Sequence, residues 1–236
     1  MRFPYEIIDL THPLSPSTPS WDGNCGFTHD TTIDYEDCET LVKFRVQKIT
    51  MYAGIGTHID APAHCMPGGL TTDALDLKNL VEPCVAIDVS KESHESYLMP
   101  VEAIHVFERK YGKINAGSFV IIRTGWDNFW KEPEKYRNNL VFPSISQEAA
   151  ILLIERNVVG LGIDTLSPDL SDSGYPVHHA FLSAGKYLVE NVANSSKLPP
   201  HGGFSLAMPM RIEGGTEAPT RLIGLVNHMR HANKVY

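Results

Sequence analysis

Apolar positions along this chain follow two rhythms that alternate. Short runs of apolar and β-branched residues, EIIDL (6–10), CVAIDVS (84–90), SFVIIRTG (118–125), VVGLGID (158–164) and KYLVENV (186–192), have the length and composition of strands. Between them the spacing lengthens to three and four. PVEAIHVFERKYG (100–112) predicts a helix opened near Pro100 and closed near Gly112. QEAAILLIERN (147–157) predicts a second, capped by Ser146 with Glu148 in its first turn, and HHAFLSAG (178–185) a short third, closed near Gly185. From Leu41 to Thr57, LVKFRVQKITMYAGIGT reads as strand running into a glycine-containing segment where backbone can approach something closely. The tail changes character: GGFSLAMPMRI (202–212) and TRLIGLVNH (220–228) are strand-like with no long helix between them, which predicts a hairpin or meander. The rest of residues 1–40, rich in Pro, Ser, Thr, Asp and Gly, predicts loops, most irregular at SPSTPSWDGN. Pattern alone therefore gives a mixed α/β class.

Composition narrows the picture. With 236 residues, 42% hydrophobic and 20% charged, and no repeat, low-complexity tract or linker, residues 1–236 are expected to form one domain. A net charge of -8 without a basic cluster argues against a nucleic-acid partner. Pro4 and early charges interrupt any secretory signal, and no apolar run approaches the roughly 20 residues that cross a bilayer, so a soluble protein without a membrane partner is expected. Cys25, Cys38, Cys65 and Cys84 form no C-x-x-C pair, which fits reduced thiols in a cytoplasmic protein. Cys65 follows His64 directly, but a buried free cysteine is common and a structural role is the reading adopted.

Candidate chemistry concentrates in Gly54-Ile55-Gly56-Thr57-His58-Ile59-Asp60-Ala61-Pro62-Ala63-His64. On an extended chain His58 and Asp60, two apart, point to one face, and His64 shares their parity unless Pro62 turns the chain. Ordinary polar loop residues beside a turn are the bland alternative; the crowding of two imidazoles and a carboxylate favours a mixed N/O metal set suited to zinc, manganese or iron.

This segment resembles the signature H-x-G-T-H-x-D-x-P-x-H of the cyclase family of metal-dependent hydrolases, which includes bacterial kynurenine formamidases and isatin hydrolases. Gly56, Thr57, His58, Asp60, Pro62 and His64 match it, and Trp21, RTGW (123–126) and GIDTLSPD (162–169) extend the likeness over nearly the whole chain. The resemblance implies an α/β fold of the swivelling β/β/α type, with a partly open β-barrel-like core of mixed strands and outer helices, assembled as a homodimer or homotetramer. It implies that His178 and Glu190, twelve apart, complete a divalent-metal site, zinc or manganese, with His58 and Asp60, His179 being the weaker candidate. The mechanism expected is hydrolysis of a small amide, lactam or lactone by metal-activated water, with His64, not needed as a ligand in this reading, as general base and then acid because imidazole exchanges protons near neutrality. Trp21 and Trp126 are candidates to pack against an aromatic substrate. No G-x-S-x-G elbow offers a serine route. One departure stands out: Gly54 occupies the place of the signature's first histidine, which puts a two-metal centre in doubt and leaves open whether water or a displaced side chain fills the space. A catalytically impaired binding protein on the same scaffold and a metal-dependent lyase or cyclase are the alternatives.

Overall fold

In the computed structural model, which describes residues 3–227, the apolar runs become strands of one curved sheet. The described strands are β1 (Tyr5–Asp9), β2 (Phe27–Ile33), β3 (Val46–Met51), β4 (His58–Asp60), β5 (Val81–Asp88), β6 (Leu98–Met99), β7 (Phe119–Arg123), β8 (Ser144–Ile145), β9 (Gly160–Ile163), β10 (Tyr187–Glu190), β11 (Gly203–Pro209) and β12 (Glu217–Asn227). The α-helices are α1 (Leu77–Leu80), α2 (Val101–Tyr111), α3 (Pro133–Arg137), α4 (Gln147–Glu155) and α5 (Pro176–Ser183). Strands β5, β7, β9 and β10 lie parallel, as expected where helices supply the crossovers: α2 precedes β7, α4 precedes β9 and α5 precedes β10.

Side-chain alternation then builds two cores. On β7, Val120 and Ile122 face the helices with Ile104, Phe107 and Leu153, whereas Phe119 and Ile121 face inward with Ile59, Val189, Ala207 and Leu222. The inner cluster draws on strands from all around the sheet because the sheet closes. Long β12 pairs β11 along one edge; on the other it pairs β1 through residues 223–227 and β4 through residues 217–219. The ring β12-β11-β5-β7-β9-β10-β4 thus returns to β12, a seven-stranded barrel-like sheet with helices outside. Gly160 makes room inside it, since a Cβ there would lie 2.7 Å from the Tyr187 ring, which stacks on Phe119 at 5.5 Å.

Differences from the sequence reading are local. Residues 27–33, expected as loop, form β2, an antiparallel partner of β3; only Phe27 is buried, the following six side chains are exposed without alternation, and the backbone ladder defines the strand. The strand expected over 41–57 is confined to β3, because the chain turns at Gly54 and Gly56 (φ +64°) before β4. His228, the last residue of the expected final strand, lies outside the described residues. Among the described residues no helix is long and apolar enough to cross a membrane.

Candidate functional site

The short strand β4 lies between β10 and β12, and that position assembles the site. His58 and Asp60, two apart, share a face. Glu190 sits opposite His58 on β10, and Glu217 sits opposite Asp60 on β12. Residues 130 or more positions apart in sequence therefore meet on one patch of sheet. The Nε2 of His58 lies 3.4 Å from Asp60 Oδ1 and 3.5 Å from Glu190 Oε2. From α5, His178 completes the cluster, its Nε2 3.7 Å from Asp60 Oδ2 and 3.4 Å from Glu190 Oε1. Two carboxylates thus each face both imidazoles. His179, next along the helix, is exposed.

Each imidazole is held from behind. The Nδ1 of His58 lies 2.8 Å from the Gly56 carbonyl oxygen, so it carries the proton and leaves Nε2 facing the cluster. Asp169 fixes His178: one oxygen accepts from the Val177 amide at 2.9 Å, the other from the His178 amide at 2.9 Å and from Nδ1 at 2.8 Å. The same buried carboxylate thereby supplies acceptors for the first turn of α5 and orients its histidine. Neither Asp169 nor Glu217 was singled out from the sequence. Asp169 stood nine residues before His178 within GIDTLSPD, and Glu217 carried only the signal of an acid entering an apolar strand.

Imidazoles and carboxylates packed this closely perturb one another. Burial disfavours a charged His58, but the Asp60 and Glu190 carboxylates outweigh it and raise its pKa to about 10. His178 is likewise raised against burial, by Asp169, Asp60 and Glu190. Burial pushes Asp60 up, yet the two imidazoles hold it below the usual carboxylate range; burial and the Asp60 charge push Glu190 up. Both oxygens of Asp60, 1% exposed, lack a hydrogen-bond partner. Two imidazole nitrogens and two carboxylates converging here, with both Asp60 oxygens left outside hydrogen-bond geometry, form a mixed N/O donor set that fits a divalent ion. Ligand-capable atoms of Asp60, His178 and Glu190 lie within 4.8 Å of one another, as do those of His58, Asp60 and Glu217.

Above the cluster opens a cavity of about 360 Å³, lined by these residues together with His64, Cys65, Trp21, Leu166 and Tyr175. His64 stands apart from the buried trio, on a 3-10 turn begun at Pro62; its side chain is 32% exposed, its Nδ1 is 3.4 Å from Glu217 Oε2, and its ring centre is 6.0 Å from that of His178. The bond to Glu217 raises the His64 pKa against partial burial. Cys65 is exposed at the cavity, not buried as a structural cysteine would be; partial desolvation still raises its thiol pKa, which disfavours a thiolate nucleophile, and all four cysteines are free. Trp21 lines the cavity and meets the Tyr175 ring at 6.3 Å. Trp126 does not reach it. The structure places that indole in a buried cluster with Tyr136, Phe142 and Leu166, its Nε1 donating to the Tyr136 carbonyl at 2.8 Å.

Residues 8–170 match the family model described as "Putative cyclase". The chain is 29% identical to the isatin hydrolase of Roseibium aggregatum, over 94% of this chain and 92% of that protein. It is 27% identical to the kynurenine formamidase of Bacillus thuringiensis subsp. konkukian, over 92% and 96%. Its fold superposes on an isatin hydrolase bound to the product analogue thioisatinate with a TM-score of 0.87 and 28% identity, covering 95% of this chain and 93% of that one. Isatin hydrolase A from Ralstonia solanacearum gives 0.85 at 32% identity, covering 94% and 92%. With its barrel closed through β4, its paired imidazoles and carboxylates, and a family match over most of its length, the chain belongs to the cyclase family of metal-dependent hydrolases.

Proposed function

We propose that this protein hydrolyses the C–N bond of a small aromatic amide or lactam, or the related lactone bond, as an arylformamidase-like enzyme. His58, Asp60, His178 and Glu190 are the residues that would hold the zinc or manganese ion of this reading. The observation that carries the reading is the buried Asp60 carboxylate, unpartnered on both oxygens and flanked by two imidazoles at the floor of a cavity. Bound there, such an ion would supply Lewis-acid chemistry, a water acidified toward about pKa 7 and a polarised carbonyl.

The chain's own residues supply the rest. Asp169 and the Gly56 carbonyl keep both imidazoles turned toward the floor. His64, part-exposed at the cavity wall, takes the proton from the attacking water and returns it to the leaving nitrogen or oxygen. Trp21, Tyr175 and Leu166 offer ring and apolar faces to a planar substrate, and the cavity volume suits a small molecule. Formanilides, isatin and lactones, each offered to metal-loaded and chelator-treated protein, test the assignment. Metal-dependent opening of at least one with uptake of water is expected. Bound metal without turnover would make the protein a binding module, and a dehydrated product would make it a lyase.

The protein is further proposed to act in the cytoplasm, consistent with four free thiols, and to assemble as a homodimer or homotetramer. The hairpin β2–β3 supports assembly: a two-stranded ribbon is marginal alone, and this region exposes Ile33, Leu41, Val42, Phe44 and Ile49.

A further inference from the structure

Gly54 does not owe its identity to backbone conformation, since its φ lies outside the left-handed region that favours glycine. It owes it to space. A Cβ at position 54 would lie 2.3 Å from Oε1 of Glu217 and 3.3 Å from Nε2 of His58. The Glu217 carboxylate therefore fills the volume through which a side chain at 54 would reach the cluster.

Its surroundings explain why it is there. Glu217 arrives on β12 directly opposite Asp60, and like charges facing each other across a ladder repel. Asp60 beside it is buried with both oxygens unpartnered, one toward His58 and the other toward His178. Donor atoms of His58, Asp60 and Glu217 gather within 4.8 Å, and a second trio, Asp60, His178 and Glu190, shares only Asp60 with the first. We propose that Glu217 is a metal ligand which stands in for a side chain at position 54 and closes, with His58 and Asp60, a second divalent-cation subsite, so that the four-residue set above divides, with His58 going to this subsite and Asp60, His178 and Glu190 to the first. The proposal rests on the metal reading above. It carries a consequence for the base: the other oxygen of Glu217 faces His64 Nδ1 at 3.4 Å, so one carboxylate joins the ion cluster to the group that moves the proton.

The test counts ions. Metal-free full-length protein is titrated with Mn²⁺, bound metal is measured by elemental analysis, and electron paramagnetic resonance records the magnetic coupling of neighbouring ions. Two ions per chain with a coupled signal are expected for the wild type. Glu217→Gln, which keeps the side-chain shape, and Glu217→Ala should each bind one uncoupled ion, the second being weakened by more than the about 10–100-fold that loss of an outer hydrogen-bond partner costs. The double variant Gly54→His/Glu217→Ala should regain the second ion, because the space released by Glu217 admits an imidazole from position 54. One ion per chain in the wild type, or two undiminished in Glu217→Gln, would overturn the proposal while leaving the hydrolase reading intact. No ion at all in the wild type would sink both.

Discussion

Asp169→Asn isolates the residue that ties α5 to the site. The wild-type carboxylate serves three donors, the amides of Val177 and His178 and the Nδ1 of His178, at 2.9, 2.9 and 2.8 Å. Asparagine keeps one acceptor oxygen and turns the other into an amide nitrogen. In its better orientation the oxygen still meets both His178 donors, and the nitrogen faces the Val177 amide. At least one buried donor then loses its acceptor, at a cost of about 1–3 kcal/mol. For a chain of this size that corresponds to a melting temperature lower by about 2–4 °C per kcal/mol. The remaining bond to His178 is no longer charge-assisted, so the ring is a poorer ligand and metal affinity should fall by about 10–100-fold. Differential scanning calorimetry of the metal-free protein reads the first quantity, and a competitive chelator titration the second. Asp169→Ala, which strands all three donors, should lose more on both counts. A metal-free Asp169→Asn protein that melts with the wild type and binds metal as tightly would refute the argument that this carboxylate organises the helix and its histidine.

Asp60→Ala removes the carboxylate between the two imidazoles and should lose both metal and turnover, whereas His64→Ala should abolish turnover with metal content near wild type; full activity in either contradicts the assigned roles. His12, stacked on Trp130 at 3.8 Å, has its pKa lowered by burial to about 4. Its folded-state pKa is depressed, so the unfolded chain binds the extra proton first, and the stability contributed by neutral His12 is intact above about pH 6.5 and lost as pH falls toward 4. The shift corresponds to up to about 3 kcal/mol, and denaturant titrations across that window should show His12→Phe losing correspondingly less than the wild type. Equal pH dependence in the two proteins would count against a buried neutral His12. Light scattering coupled to size exclusion should report a dimer or tetramer that weakens when Val42 and Phe44 are replaced by Lys; a wild-type monomer would remove the assembly proposed for the β2–β3 hairpin.

The sequence by itself determined whatever depends on neighbours along the chain. Helices α2 and α4 were legible because Pro100, Gly112 and Ser146 mark their ends, and Ser146 Oγ does accept from the Ala149 amide. Strands β5, β7, β9 and β10 were legible because strands buried on both faces read as continuous apolar runs. His58 and Asp60 could be set on one face from period two alone. The hairpin strand β2 was illegible because, after buried Phe27, its side chains are exposed with no period-two alternation to distinguish it from loop. Trp126 and Trp21 were indistinguishable as aromatic residues, and only packing sends one to the core and the other to the cavity. Gly54 showed that a side chain was missing but not what had replaced it. That answer required the register of β12 against β4, which lays Glu217 opposite Asp60 from more than 150 residues away. Local sequence sets which atoms can donate to a metal; barrel closure, a long-range pairing that no local pattern encodes, sets which of them share a volume small enough for one cation to touch.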